Sequence, residues 1–450
     1  MSYRKKLTKV IPGGAHTYSR GHDQFPVNAP EILQKGKGAY IFDNKNNKYL
    51  DYGMGLRSVN IGYSENEINN AAILQIRNGN NLTRPSFIEL NAATTLVKAI
   101  KSVDMVKFTK NGSTAVTAAV KLARAYTNKN IVLRCSNHPF FSFDDWFIGN
   151  TVISKGVPKK IQDLTVNFEF NDIENFKKKI AKYKNKISCV VMEPATDICP
   201  KNKHSKQNCC MNYPCSRNFG LTSFIQQVQS ICKNERIVFI LDEMITGFRW
   251  DIGGAQKIMN LDPDISTFGK AMANGFSVAC VAGKKKYMEL GSIDKKNTER
   301  VFLLSTTHGA EMNGLGAFVQ TMKFIKKNNV IEKNWIYGQK LINEANKISK
   351  KYNLINKFNF SGPGCSPVYF CKDENNKISL GLKTLFMQEM LKNNVLIPWV
   401  SICFRHDKIE LNKTLKAIDK SLYVYKKALK YGFKRFLRGN QVKPVFRKFN

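Results

Sequence analysis

The chain has 450 residues, 43% of them hydrophobic and 11% aromatic, a globular composition with room for two or three domains and a sizeable core. No apolar run reaches the roughly 18 residues of a membrane span, and "MSYRKKLTKVIPGG" has charges but no apolar h-region, so neither a transmembrane segment nor a secretory signal is predicted and a cytoplasmic protein is expected. The formal charge of +37 would suit nucleic acid or an anionic surface, but the lysines are dispersed among abundant Asn and Ile, as coding bias produces, so no nucleic-acid partner is expected.

In chain order, "GGAHTYSRG" is followed by two short strand-like runs, "GAYIFD" and "KYLDYG". From about residue 61 helices alternate with buried strands. "NEINNAAILQIRNG" and "SFIELNAATTLVKAIKS" read as helices, and "DMVKFTKNGSTAVTAAVKLARAYTNK" reads as strand, turn and helix. "NIVLRCS", "ISCVVMEP" and "RIVFILDEM" are β-branched and nearly continuously apolar. Such runs between helices predict a mostly parallel sheet covered on both faces. After about residue 320 come helices and isolated strands, "SPVYFCKD" and "VLIPW". The predicted organisation is an N-terminal segment (1–60) of a small domain, a large α/β domain (61–319), the C-terminal part of the small domain (320–425) and a basic extension (426–450). That extension, with interleaved aromatics, is read either as a contact for phosphates or a membrane surface, or as a stretch packed on its own domain with a solvated basic face.

Ligands of open α/β sheets bind at the carboxyl ends of the strands. "ISCVVMEP" ends in Glu193, "IVFILDE" in Asp242 and Glu243, and "DISTFGK" in Lys270, while the helix after "KFTKNG" starts with Ser113 and Thr114. Two or three carboxylates, a lysine and an anion site are thus expected on one rim. Each has a plainer reading. Ser113 and Thr114 could only cap the helix, Asp242 could cap one, and Lys270 could form a buried ion pair. Together they match what pyridoxal phosphate needs: an amine of depressed pKa for a Schiff base, a carboxylate for the pyridine nitrogen and a phosphate cup. The helix start does not match the P-loop pattern, so a nucleoside triphosphate is not expected.

The ordered stretches "NGSTAVTAAVKLARAYT", "VVMEPAT", "ILDEMITGFRW", "STFGKAMANGFSVACVAG" and "STTHGAEMNGLGA" resemble class III pyridoxal-phosphate aminotransferases, with glutamate-1-semialdehyde 2,1-aminomutase the nearest likeness, over roughly residues 8 to 420. The resemblance implies fold type I, with a large domain around a mostly parallel sheet and a smaller α+β domain from both termini. It implies Lys270 as the Schiff-base lysine and proton carrier, and Asp242 on the pyridine nitrogen. Met244 would lie against the ring, Ser113 and Thr114 would hold the phosphate, and Glu193 would sit near the ring hydroxyl or substrate. Thr306 would reach a phosphate across a homodimer interface, and Arg20 would grip a substrate carboxylate. The implied partners are an amino donor and a carbonyl acceptor.

The likeness is incomplete. Where the aminomutase has a ring-stacking tyrosine, this chain reads "CSNHPFFSFDDW", leaving His138 or Phe140 to stack; "VLIPWVSICFRHDK" has no glutamate before Arg405 and His406; "STTHGAEMNG" lacks an asparagine-proline. An added stretch carries Cys199, Cys209, Cys210, Cys215 and His204, read as free thiols or as zinc ligands without standard spacing. An intact cofactor core with an altered substrate shell implies amino-group transfer on another small carbonyl, in surface-sugar or amino-metabolite synthesis. The alternatives are a true aminomutase making 5-aminolevulinate, and a degenerate aminotransferase fold serving as a basic binding protein.

Overall fold

The apolar runs of the middle of the chain become neighbouring strands of a single sheet. A computed structural model describes residues 2–195, 199–200, 223–309 and 311–450. The strands among them are, in chain order, β1 (Leu33–Lys37), β2 (Tyr40–Asp43), β3 (Lys48–Asp51), β4 (Met105–Thr109), β5 (Ile131–Cys135), β6 (Thr165–Phe168), β7 (Ile187–Met192), β8 (Val238–Asp242), β9 (Ile265–Phe268), β10 (Ala279–Gly283), β11 (Phe358–Ser361), β12 (Val368–Cys371) and β13 (Val395–Leu396). The chain divides into two compact units. One holds the described residues up to Glu65 together with Glu332–Arg447, and the other holds those from Asn66 to Ile331 and Lys448–Asn450.

In the second unit seven strands lie in the order β4-β10-β9-β8-β7-β5-β6. Strands β5 to β9 pair in parallel, while β10 is antiparallel to both β4 and β9. Every residue of β7, β8 and β9 is buried. That is why these runs lack the polar alternation of a half-exposed strand. The helix Gly112–Thr127 crosses β7 to β10 and β4 with a buried face of Ala115, Val116, Ala119, Val120 and Ala123. The small side chains on that face let the helix lie close to the sheet.

The other unit is α+β. Strands β1, β2 and β3 are antiparallel, β13 joins β3 in parallel, and β11 and β12 form a separate pair. Their apolar faces close over Leu50, Tyr52, Phe358, Phe386, Leu422 and Tyr425. The helix Lys408–Tyr431 runs into the basic C-terminal stretch, which then turns back and packs on its own unit, as Gly381 against the Phe433 ring illustrates. Among the described residues no helix is long and apolar enough to cross a membrane.

Candidate active site

Strand register brings the chemistry to one edge of the large sheet. Met192 pairs with Leu241 and Asp242 with Thr267, so Glu193, Asp242 and the Gly269–Lys270 pair follow the carboxyl ends of three adjacent parallel strands. Because β10 is antiparallel to both neighbours, the carboxyl end of β4 reaches the same edge, with Thr109 opposite Ala279. The chain then enters the helix Gly112–Thr127.

Asp242 is buried, and its Oδ1 accepts from Met244 N at 2.9 Å and from Thr267 Oγ1 at 3.0 Å. Burial pushes the carboxyl up to about 6, against the pull of the Lys270 charge and of the two hydrogen bonds. Lys270 has φ 43, a left-handed conformation that costs a non-glycine residue roughly 1–3 kcal/mol and clusters at functional sites. Met244 packs with Ala115 and Ala279. A Cβ added at Gly112 would meet its Sδ at 2.8 Å, and one at Gly269 at 2.7 Å. One thioether therefore touches both the start of the helix and the residue before Lys270.

The helix cap is Asn111, whose Oδ1 accepts from Thr114 N at 2.9 Å and Thr114 Oγ1 at 3.1 Å. Ser113 and Thr114 thus lie in the first turn rather than at the cap. The N–H groups of Gly112 and Ser113 donate to no described acceptor, the arrangement by which helix N-termini hold anions. Ser113 Oγ accepts from Phe143 N at 3.2 Å, which ties the following loop to this turn.

Glu193 and His138 are both buried, and Glu193 N donates to His138 Nδ1 at 3.0 Å. His138 packs against Phe170 and Phe141, with ring centroids at 4.9 and 6.1 Å, and burial with the nearby Arg134 charge pushes it down to about 3. It is a neutral ring whose Nε2 has no acceptor among the described residues. Asn137, at the tyrosine position of the resemblance, accepts from Phe170 N at 2.8 Å. Glu243 leaves the rim. Its carboxylate accepts from Ala255 N and Gln256 N at 2.9 and 2.8 Å and from Thr246 Oγ1, tying down the start of the helix Gly254–Ile258. The expected third rim carboxylate is a structural clamp. Thr306 is exposed beside a turn tied by Asn81 Nδ2 to Thr307 O at 3.0 Å. Arg20 is exposed in the other unit, in a 3-10 turn over Tyr18–Arg20.

Cys199 is buried, and no metal-holding group of His, Cys, Asp or Glu occurs among the described residues. Cys209, Cys210, Cys215 and His204 lie outside them. Residue patterns alone missed Asn111, Thr267 and the two glycines around Met244. The signal for Thr267 was its place in "STFGK", opposite Asp242 once β8 and β9 are set in register.

A model of the family Aminotransferase class-III matches residues 17–385. The chain is 28% identical over 441 residues to a 3-aminobutyryl-CoA aminotransferase of Cloacimonas acidaminovorans, covering 95% of this chain and 98% of that one. It is 27% identical over 438 residues to a glutamate-1-semialdehyde 2,1-aminomutase of Francisella tularensis, covering 93% and 95%. The solved FumI protein of Sphingopyxis sp. MTA144, which holds pyridoxal phosphate, superposes with a TM-score of 0.81 at 22% identity over 95% of this chain and 97% of that one. A lysine, a buried carboxylate and a helix start on one sheet edge, under a family match that spans most of the sequence, place the chain in the class-III aminotransferases, as a pyridoxal-phosphate enzyme of amino-group transfer.

Proposed function

We propose that this rim is the cofactor site, with Lys270 as the covalent attachment point and Asp242 as the partner of the ring nitrogen. The observation that carries the reading is the buried Asp242 at the end of β8, its Oδ1 fixed by Met244 N and Thr267 Oγ1 and its carboxyl within reach of the Lys270 charge. Three features support the fit of pyridoxal phosphate. A desolvated carboxylate favours a cationic partner such as a protonated pyridine nitrogen. The open N–H groups of Gly112 and Ser113, with the hydroxyls of Ser113 and Thr114, suit a phosphate. Glycines at 112 and 269 keep the Met244 thioether in its slot.

When bound, the cofactor supplies an electron sink for the charge that develops at the donor's α-carbon. Asp242 holds the proton on the ring nitrogen that keeps this sink effective. Lys270 Nζ takes the proton from the donor's α-carbon and, in the second half of the transfer, returns one to the former carbonyl carbon of the acceptor. Met244 supports the ring face, and Ser113 and Thr114 orient the phosphate. Glu193 and His138 complete the ring's surroundings, His138 with a neutral N–H donor on Nε2. Arg20 is the group for a substrate carboxylate. The substrate shell favours transfer between a carboxylate-bearing amino donor and a separate small carbonyl compound, in surface-sugar or amino-metabolite synthesis.

A homodimer is part of this reading. Phe87, Leu90, Leu82 and Leu74 are exposed, Phe87 at 92%. They belong to the stretch whose Asn81 holds the turn beside Thr306 and whose Asn80 O accepts from Met312 N. An exposed apolar face beside a would-be phosphate ligand suits a two-fold copy that covers one and receives the other. A cytoplasmic setting accords with the buried free thiols of Cys135, Cys189, Cys232, Cys280 and Cys371.

The test is chemical. Purified protein should be yellow, and borohydride should fix the cofactor on Lys270. Lys270→Ala should lose more than about a thousandfold in turnover while keeping its fold. A colourless protein that takes up no added pyridoxal phosphate would sink the site and leave the basic-binding reading. A donor screen with L-glutamate, L-alanine, 3-aminobutyrate and 1-phenylethylamine, read by bleaching of the visible band, separates transfer from mutase chemistry. Conversion of glutamate-1-semialdehyde to 5-aminolevulinate without any donor would replace the transfer reading by the aminomutase.

A further inference from the structure

The basic C-terminal stretch does no work in the chemistry above, yet it is tied at several points to the segment that carries Arg20. Residues 11–28 contain no strand and only three-residue 3-10 turns, over Pro12–Gly14, Tyr18–Arg20 and His22–Gln24. A segment this long and irregular holds one conformation only if other parts of the fold tether it.

Those tethers come from the last residues of the chain. Lys443 N donates to Asp23 O at 3.0 Å, and Gln24 Nε2 donates to Lys443 O at 3.0 Å. Arg447 pairs with the Asp23 carboxylate at 2.6 Å, both side chains about three-quarters buried. Gly439, at φ +73, lies against Val27, where a Cβ would approach the valine Cβ to 3.1 Å. A further tie runs through a shared bed, the helix Leu380–Lys392. Its Gln388 offers O to Asn28 Nδ2 at 3.0 Å, while the Gln388 side chain donates to Phe436 O at 3.0 Å and accepts from Arg438 N at 2.7 Å. The strap is seated on the same helix by Val442 N, which donates to Thr384 Oγ1 at 3.0 Å, and by Phe433, which fills the space of a side chain at Gly381.

We propose that residues 432–447 form a strap that positions the Arg20 segment, with the Asp23–Arg447 pair as its clasp. The inference rests on the reading of Arg20 as the substrate-carboxylate group. Asp23 is three residues beyond Arg20, in the next 3-10 turn across the extended Gly21, so fixing Asp23 in backbone and side chain limits where the Arg20 turn can sit. The strap is a positioning element and touches no reacting atom. Its loss should therefore weaken binding of carboxylate-bearing donors and leave the chemical step and cofactor affinity alone.

The experiment uses the full-length holoenzyme with Arg447→Asp, the milder Arg447→Ala, the charge swap Asp23→Arg with Arg447→Asp, and Arg20→Ala. Arg447→Asp should raise KM for the best carboxylate donor of the screen about tenfold, the scale of a misplaced binding group, with kcat within about twofold. KM for 1-phenylethylamine and the affinity for pyridoxal phosphate should not move. Amide hydrogen exchange should accelerate at residues 20–28 in Arg447→Asp, less so in Arg447→Ala, and recover with KM in the charge swap. Unchanged exchange and unchanged KM in Arg447→Asp, with Arg20→Ala raising KM, would overturn the strap alone. Donor KM indifferent to Arg20→Ala, or no carboxylate donor bleaching the band, would remove the reading of Arg20 and the strap's purpose with it.

Discussion

His138 in the sheet-bearing unit and His406 in the other unit reach the same electrostatic state by the same route. Each is buried, each accepts a backbone N–H on Nδ1 at 3.0 Å (from Glu193 and Cys403), and burial is the main force pushing each down to about 3. With Nδ1 accepting, the proton of the neutral ring sits on Nε2. There the two part. His406 Nε2 meets Asp51 O at 3.2 Å, and its ring stacks on Tyr52 and Tyr337 at 4.6 and 5.4 Å. Asp51 in turn accepts from Gly53 N, Met54 N and Tyr63 Oη, holding a left-handed turn in which Met54, Leu56 and Arg57 all have positive φ. His138 Nε2 has no acceptor among the described residues. A buried donor left unpaired costs about 1–3 kcal/mol and calls for a reason to persist. The satisfied histidine is scaffolding for a strained turn. The unsatisfied one stands next to Glu193 on the candidate site, where a bound group can supply the acceptor.

The comparison breaks first at His406. His406→Ala should lower unfolding free energy by about 3–5 kcal/mol, because it empties an aromatic slot and strips Cys403 N and Asp51 O of their partner. The cofactor band of the folded variant should be unchanged. A loss under about 1 kcal/mol in urea would show that the strained turn stands without it. The pH dependence follows from the same residue. A folded-state pKa of about 3, below the ordinary 6.5, means the folded form binds fewer protons, so stability is full above about 6.5 and is lost as pH falls towards 3. By pH 4.5 His406 alone should remove about 2–3 kcal/mol, and His406→Gln should flatten the acid limb by that amount. His138→Leu is the next step down. It leaves Glu193 N unpaired but also removes the orphaned Nε2–H, so about 1–2 kcal/mol of stability is expected. Its distinguishing mark is a severalfold weaker hold on pyridoxal phosphate, read by titration of the apoenzyme. Equal affinity in that variant would make His138 scaffolding like His406.

The two histidines also mark where residue patterns stop being readable. The parallel strands were legible because a strand covered on both faces must be apolar throughout, and Asp242 and Lys270 were legible because they end such runs. The antiparallel β10 was not, since "SVACVAG" carries no sign of direction. Glu243 was misread with Asp242 as a rim carboxylate, although neighbours along an extended chain point to opposite sides; the structure turns it onto the helix Gly254–Ile258. Asn111, Ser113 and Thr114 are all capping residues, and which one caps depends on where the backbone enters the helix. Burial of His138 is set by Phe141 and Phe170, and the contact of Met244 with Gly112 joins segments far apart in the sequence. The stretch "VLIPWVSICFRHDK" departs from the aminomutase, and the structure gives residues of it structural partners: Trp399 Nε1 donates to Gly53 O at 2.9 Å, and His406 is locked between Cys403 N and Asp51 O.

Arg405, the neighbour of His406, sharpens the same point with the smallest expected effect. Its Nε and one terminal nitrogen both donate to Glu65 Oε2, at 3.0 and 2.7 Å, and its guanidinium lies 5.4 Å from the Phe404 ring centroid. The arginine is 43% exposed, so water screens the pair and its worth is set by geometry more than by charge. Arg405→Gln should therefore shift stability by no more than about 0.5–1 kcal/mol. Donor KM and kcat should stay within about twofold, because a guanidinium already committed to Glu65 has little left for a substrate carboxylate. If KM for a carboxylate donor instead rose as far as it does for Arg20→Ala, Arg405 would join the substrate shell, and the division between a structural C-terminal stretch and a functional N-terminal one would fail.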